Sequence, residues 1–281
     1  AKDGKPSPSF SYVIKKKANK KAQKSAKGRQ VNMKSIAFFN NKGGVAKTTT
    51  VINVGYILAE VYLRKVLIID CDGQQNASRF LADEIKEVGI EKALTDASVS
   101  PRSSISKTRY KNMDILTSTS SMNSSSEIFK ELSTDIQKSN LRKLNEYWKD
   151  EYDYILIDMP PALNYLTESI ISTTDGVIVP VELGTFAIQG IAAVTDTINK
   201  VGASFTGCFI SKYDKNNKTE HELKELLISS LGGKVFKTII PQSYIIKNSQ
   251  NFKLTAYEYM RWLTPAKRYV ELTEEIIRKV D

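Results

Sequence analysis

The chain has 281 residues, 41 Lys or Arg against 31 Asp or Glu, a formal net charge of +10 and two cysteines. That length suits one large α/β domain or two small ones with an ample core, and no apolar run reaches the roughly 20 residues of a membrane-spanning helix. The first residues lack the apolar stretch of a signal peptide, and Cys71 and Cys208 share no metal or redox spacing. The expectation is a soluble, cytoplasmic protein with two buried free thiols.

Residues 1–34 hold eleven of the basic residues against the single acid Asp3, which leaves thirty of each sign in the remainder. The high charge is therefore a property of the N-terminal segment and gives no evidence about the folded body. With few apolar residues beyond Phe10, Tyr12, Val13 and Ile14, residues 1–32 read as a flexible basic tail and residues 33–281 as the folded domain. Such a tail could hold DNA phosphates through counterion release or lie on an anionic membrane. The plain alternatives are a solvated extension or an expression remnant, since Met33 stands just before the first strand.

Ser35-Ile36-Ala37-Phe38-Phe39 is a short apolar run suited to a buried strand. After it comes Asn40-Asn41-Lys42-Gly43-Gly44-Val45-Ala46-Lys47-Thr48-Thr49-Thr50. From Thr48 to about Leu63, the apolar residues Val51, Ile52, Val54, Ile57, Leu58 and Val61 recur at helical spacing. A strand, a glycine-bearing turn and a helix in that order aim backbone N–H groups and the positive end of the helix dipole at one place. Polyphosphate is the natural occupant, with Lys47 reaching the β- and γ-phosphates and the Thr48 hydroxyl on Mg²⁺. A Gly-Gly turn with incidental lysines is the plainer alternative.

The ordinary pattern G-x-x-x-x-G-K-[ST] fails twice, because Asn41 and Ala46 occupy its other glycine positions. What remains is Lys-Gly-Gly-x-x-Lys-Thr with a second lysine at Lys42. This segment resembles the deviant Walker A ATPases of the ParA/MinD group, and ParA-type partition ATPases most closely. The resemblance implies that residues 42–49 (Lys42, Gly43, Gly44, Val45, Ala46, Lys47, Thr48 and Thr49) bind ATP or ADP. It also implies that Lys42 reaches across a homodimer to the partner's nucleotide. Ala46 would strain the turn if its φ is positive, and slow intrinsic hydrolysis with binding retained is then expected.

The next strand, Lys65 to Ile69, ends in Asp70-Cys71-Asp72-Gly73-Gln74-Gln75-Asn76-Ala77. Two acids two positions apart at a strand's C-terminal end point the same way and can approach Mg²⁺ or an attacking water. The family's pattern here resembles D-x-D-P-Q-x-N-[AS], from which this chain departs at Gly73. By resemblance Asp72 positions the hydrolytic water and Asp70 supports the metal; capping of the next helix is the other reading. Residues 79–112 read as short helices and loops. Met113 to Thr117 is a strand, Ser118 to Ser126 a polar loop, and a helix is expected to about Trp148.

Tyr152 to Asp158 is a strand of bulky apolar residues that ends in one acid before Pro160-Pro161. It resembles the family's Walker B segment, in which Asp158 holds a Mg²⁺-bound water. A strand Gly176–Val181, a helix from Ala187 to about Val201, a strand Phe205–Ser211, a helix Glu220–Leu231 and a strand Val235–Ile240 follow. This alternation predicts a doubly wound, mostly parallel sheet covered by helices on both faces, with the ligand at the C-terminal strand edge.

Pro241 and Gln242 stand where the resemblance puts backbone against adenine, and Gln242 and Ile245 replace arginines that contribute to DNA binding there. Lys247, Lys253, Arg261, Lys267 and Arg268, interleaved with Tyr257, Tyr259 and Trp262, form a candidate DNA surface or an ordinary solvated helix face. The last helix, Pro265 to Val280, is interrupted by Glu271, Glu274 and Glu275 and is expected to pack on the core rather than on a membrane. The reading is an ATP-dependent partition ATPase that uses Mg²⁺, binds nonspecific DNA as an ATP dimer at the nucleoid, and is released when a ParB-like centromere-binding protein stimulates hydrolysis. The rivals are MinD-like positioning on a membrane surface and a nucleotide-switched adaptor with negligible hydrolysis. Nitrogenase-type or metal-pump relatives would need clustered cysteines.

Overall fold

A computed structural model of the chain describes residues 32–281. The basic segment 1–31, with the expectations attached to it, lies outside the described residues. Seven strands form one sheet: β1 (Lys34–Phe38), β2 (Val66–Asp70), β3 (Ile105–Lys107), β4 (Met113–Leu116), β5 (Tyr154–Asp158), β6 (Gly176–Glu182) and β7 (Phe205–Ser211). Their order is β3-β4-β2-β5-β1-β6-β7, and every pair is parallel except the edge pair β3-β4. β2 and β5 are buried at every position. Their unbroken apolar runs, with no polar alternation, are what a parallel strand covered on both faces requires.

The two-residue pleat of β1 divides the core. Ile36 and Phe38 face α1 (Lys47–Tyr56) and the last helix, while Ala37 and Phe39 face the opposite layer. α1 lies so close to β2 that a methyl added at Gly55 would come within 2.9 Å of Ile68 Cδ1. Beyond Tyr56 the helix widens into a π turn over Ile57–Val61 and stops there, short of the expected Leu63, which turns to φ +55. The chain moves to one side of β1 on reaching β2 and to the other on passing from β5 to β6. The strand ends of β1, β2 and β5 therefore open a crevice at the C-terminal edge of the sheet.

Other elements correct the expectations. Residues 76–144 carry four short α-helices, α2 (Asn76–Leu81), α3 (Ile90–Thr95), α4 (Ser125–Glu131) and α5 (Thr134–Leu141), followed by 3₁₀ turns up to Trp148. The single helix expected up to Trp148 is broken where Leu132 and Ser133 turn extended, at ψ 150 and 151. α6 (Tyr165–Ser172) was not anticipated; Asn164 starts it by accepting from Thr167 N at 2.9 Å. α7 (Ala187–Lys200) and α8 (Lys218–Leu231) match the helical spacing.

The strand expected over Val235–Ile240 is extended chain that touches β7 only at separate points, Phe236 N to Cys208 O at 2.7 Å and Ile240 N to Ile210 O at 2.9 Å. Between them, Lys237 N and Thr238 N donate instead to the Glu275 carboxylate. A side chain has taken the donors a ladder would use. Three helices close the fold: α9 (Tyr244–Asn251), α10 (Ala256–Met260) and α11 (Thr264–Val280). α11 buries Tyr269, Val270, Leu272, Ile276 and Ile277 against the core, as expected. Among the described residues no helix is long and apolar enough to cross a membrane. Cys71 and Cys208 are buried free thiols, and burial raises both pKa values, that of Cys208 to about 12.

Candidate nucleotide-binding site

The loop between β1 and α1 is held by side chains that the pattern alone does not mark. Asn40, buried, donates from Nδ2 to Pro180 O at 2.8 Å and accepts from Lys42 N at 2.9 Å. Lys47, the first residue of α1, folds back to donate to Asn40 O at 2.9 Å and Lys42 O at 3.1 Å. Ser211, at the end of β7, donates to Val45 O at 3.0 Å. The loop is thus tied to β6, to its own helix and to β7 before any ligand arrives. Gly44 has φ +75 and Ala46 φ +70, ψ 30. For a residue with a Cβ that conformation costs about 1–2 kcal/mol, which the surrounding bonds must offset. Gly43, Gly44 and Lys42 are exposed, and the Lys42 side chain makes no hydrogen bond or ion pair with the rest of the described chain.

β2 and β5 pair in register at Asp70 and Asp158, and Phe38 pairs with Asp158 on the other side. The two acids therefore sit side by side at the strand ends, close to where the cradle begins. Both are fully buried, and their surroundings differ. Asp70 Oδ1 accepts from Asp72 N at 3.0 Å, and Oδ2 accepts from Ser78 N at 2.8 Å and Ser78 Oγ at 2.7 Å. Neither oxygen of Asp158 has a hydrogen-bond partner among the described residues.

Burial raises the pKa of Asp70 to about 6 against the pull of those hydrogen bonds. The Asp158 pKa is raised well above its ordinary value, by burial first and then by the Asp70 charge beside it. The Thr48 hydroxyl and Lys47 lower it only in part, Thr48 facing the carboxylate without closing a bond of ordinary geometry. Burial lowers the Lys47 pKa, opposed by Asp158 and Asp72. A buried carboxylate with no donor is costly, and a hydrated cation is the kind of partner it fits.

Asp72 lies nearer the surface, where its Oδ1 accepts from Gln74 N at 2.9 Å. Asp70 fixes the peptide of Asp72 and the start of α2, so the helix-capping reading describes Asp70 well. Lys47 and Thr48 lie close enough to Asp158, and Lys47 to Asp72, to act on one another electrostatically, whereas Asp70, expected to support the metal, is engaged by its own loop.

Beside the loop a cavity of about 470 Å³ is lined by Ala46, Thr49, Lys212, Pro241, Gln242, Tyr244, Lys247 and Gln250, among others. Its wall is built by backbone pairing: Tyr213 N donates to Ile240 O at 3.0 Å and Gln242 N to Tyr213 O at 2.9 Å. Gln250 on α9 donates to Thr49 Oγ1 at 2.7 Å. Pro241 and Gln242, which the resemblance puts against adenine, line this cavity, and Lys247 belongs to it as well as to the candidate DNA surface. Of the other residues assigned to that surface, Lys253, Arg261 and Arg268 are exposed and Lys267 is half-buried. Arg268 pairs with Glu271 at 2.5 Å. Tyr257 is not part of the surface, because its ring packs in the core. Phe252 and Trp262 are exposed, and Phe252 stacks on Tyr259 with centroids 5.8 Å apart.

Sequence reasoning missed Asn40, Ser78, Ser211, Lys212 and Gln250. Asn40, a polar residue directly after a buried strand, carried a readable signal, and Ser78 reaches back only eight residues to Asp70; Ser211 and Gln250 act through contacts far along the chain.

Residues 33–209 match the family model described as AAA domain. The chromosome partitioning protein ParA of Caulobacter vibrioides is 30% identical over 264 residues, covering 88% of this chain and 95% of that protein. A complex of Cyanothece McdA with ATP superposes with a TM-score of 0.75 at 20% identity, covering 87% of this chain and 96% of that one. The septum site-determining protein MinD of Pyrococcus horikoshii, complexed with Mg-ADP, gives 0.69 at 21% identity with the same coverage. The matched stretch contains the cradle and all three strand-end acids, and on that ground the chain belongs to the ParA/MinD family of P-loop ATPases.

Proposed function

We propose that this ATPase is a partition switch: an ATP-bound dimer that holds nonspecific DNA and lets go on hydrolysis, at a rate set by a centromere-binding partner protein. The observation that carries the nucleotide chemistry is the partnerless carboxylate of Asp158, buried beside Lys47, Thr48 and Asp72 at the mouth of a braced phosphate cradle. Mg²⁺, bound between nucleotide and protein, would supply charge compensation for the phosphates. Thr48 and, through water, Asp158 are the residues that would hold it, with Asp70 holding the peptide of Asp72 in place.

Each further residue has a part that its position supports. The backbone N–H groups of Gly43 to Thr48 and the start of α1 receive phosphate oxygens. Lys47 is held at the base of the loop, ready to exchange its carbonyl partners for phosphate. Asp72, less buried than Asp158 and close enough to Lys47 to act on its charge, orients the attacking water. Lys42 projects from the loop toward solvent, where a second subunit would bring its own phosphates; charge buried at such an interface needs cations from both sides. Ala46, with its methyl in the left-handed region, makes intrinsic turnover slow.

DNA contact is assigned to Lys247, Lys253, Arg261, Lys267 and Arg268 with the N-terminal tail, and the protein to the nucleoid within the cytoplasm. α11 keeps its apolar face on the core, which supports DNA over a membrane as the surface held. The test is DNA binding with ATP, ADP or no nucleotide, across salt concentrations, with and without residues 1–32, and with anionic liposomes in parallel. The proposal expects ATP-dependent binding that survives the truncation and falls steeply with salt. Binding lost with the tail and indifferent to nucleotide contradicts it, as does liposome binding in the absence of DNA binding. ATP-dependent dimerisation with negligible turnover would instead establish the adaptor.

A further inference from the structure

Lys212 stands at the junction of the phosphate cradle and the base cavity. The residue before it, Ser211, is fixed to the cradle through Val45 O at 3.0 Å. The residue after it, Tyr213, is fixed to the wall of the base cavity through Ile240 O and Gln242 N. Between these anchors Lys212 adopts φ +54, a left-handed conformation that a lysine does not take by preference. Strain of this kind persists where neighbours on both sides over-determine the backbone.

The conformation sends the side chain back over the loop. A methyl built on Gly44 would lie 4.0 Å from Lys212 Nζ, and Lys212 lines the base cavity with Ala46, Thr49 and Pro241. The ammonium meets one acid, Glu182 Oε2, at 3.5 Å. Glu182 ends β6 directly opposite Ser211 in the β6–β7 register, so both partners are carried on adjacent strand ends. The pair is loose and about 40% exposed on the lysine side, the kind of ion pair that contributes little to stability. A strained backbone is poorly accounted for by a contact worth so little.

We infer that Lys212 is a further nucleotide-contacting residue, which exchanges Glu182 for a phosphate oxygen of the bound nucleotide on the base-proximal side of the cradle. The inference rests on the nucleotide reading above. Glu182 is then the resting counter-ion and competes with the nucleotide for the same ammonium. A polyphosphate brings more negative charge to the site than one carboxylate and lies over Gly44, where Nζ already is. Removing the lysine and removing its competitor must therefore act in opposite directions.

The experiment measures ATP, ADP and adenosine binding to the full chain and to its Lys212→Gln and Glu182→Gln variants, at fixed ionic strength, with thermal melts to establish folding. Losing one charge-assisted contact predicts about tenfold weaker ADP and ATP binding in Lys212→Gln. Adenosine binding stays unchanged, and Glu182→Gln binds ADP a few-fold more tightly than wild type. Nucleotide affinity in Lys212→Gln within twofold of wild type overturns the inference. So does an equal loss for adenosine, or a weakening in Glu182→Gln that parallels the lysine variant, since each marks a packing or purely structural pair. Wild-type protein that fails to bind ATP at all overturns the nucleotide reading itself.

Discussion

The ends of β2 and β5 carry the same residue at the same height in the sheet, and they do opposite things. Asp70 is saturated by three hydrogen bonds from Asp72 and Ser78, whereas Asp158, in register beside it and equally buried, has none. The first carboxylate is a joint that fixes the loop after β2 and starts α2. The second is kept unpartnered in the fold and stands available to something that arrives from solution. Position and burial alone would give them one role; the donors around them separate structure from chemistry.

The contrast can be broken at either acid. The largest effect is expected from Asp158→Asn, with hydrolysis lowered about 100-fold or more through loss of the charge that steadies the metal. The same variant should fold at least as well as wild type without nucleotide, because a buried carboxylate lacking donors has been removed; kcat and a denaturant midpoint measured together check both halves. Next comes Asp70→Ala, which strands the N–H groups of Asp72 and Ser78 and should destabilise the nucleotide-free protein by about 2 kcal/mol in urea unfolding. Its hydrolysis should fall too, as a consequence of a displaced Asp72.

Ser78→Ala removes one of the three bonds to Asp70 and the hydroxyl that accepts from Ser118 N at 3.2 Å, but leaves both backbone donors to Asp70, so a loss of about 1–2 kcal/mol with nearly normal turnover is expected. The smallest stability change belongs to Ala46→Gly. Relief of the left-handed strain, about 1 kcal/mol, is offset by the greater freedom of glycine in the unfolded chain, so the net change stays within about 0.5 kcal/mol. Its turnover, however, should rise several-fold. Unchanged kcat in that variant would show that the Ala46 methyl does not limit hydrolysis.

The division between what could and could not be read in advance follows the same physics. Elements built from local periodicity were legible: the apolar runs ending at Asp70 and Asp158, the helix after Lys47, and β7, whose bounds match the reading residue for residue. The places of the acids at the strand ends and of Lys47 and Thr48 at the start of a helix were legible from the apolar runs and the cradle pattern, while their roles rest on the resemblance. The break at Leu132–Ser133 was not, because a few residues of extended backbone carry no strong Gly or Pro mark.

The missing ladder over Val235–Ile240 depends on Glu275, some 40 residues later in the chain. Ser211 bracing Val45 and Gln250 reaching Thr49 are contacts over 166 and 201 residues, for which no local pattern exists. Nor could the sequence distinguish Asp70 from Asp158, since the difference lies in donors that only the fold assembles.

The most direct test of the account is the thermal shift produced by ATP with and without Mg²⁺, in wild type and in Asp158→Asn. Wild type is expected to gain a clear further increment from Mg²⁺ over ATP with chelator, and Asp158→Asn to start at an equal or higher melting temperature but lose that increment. A variant that melts lower without nucleotide yet keeps the full Mg²⁺ increment would contradict this, and would make Asp158 a structural residue like its neighbour.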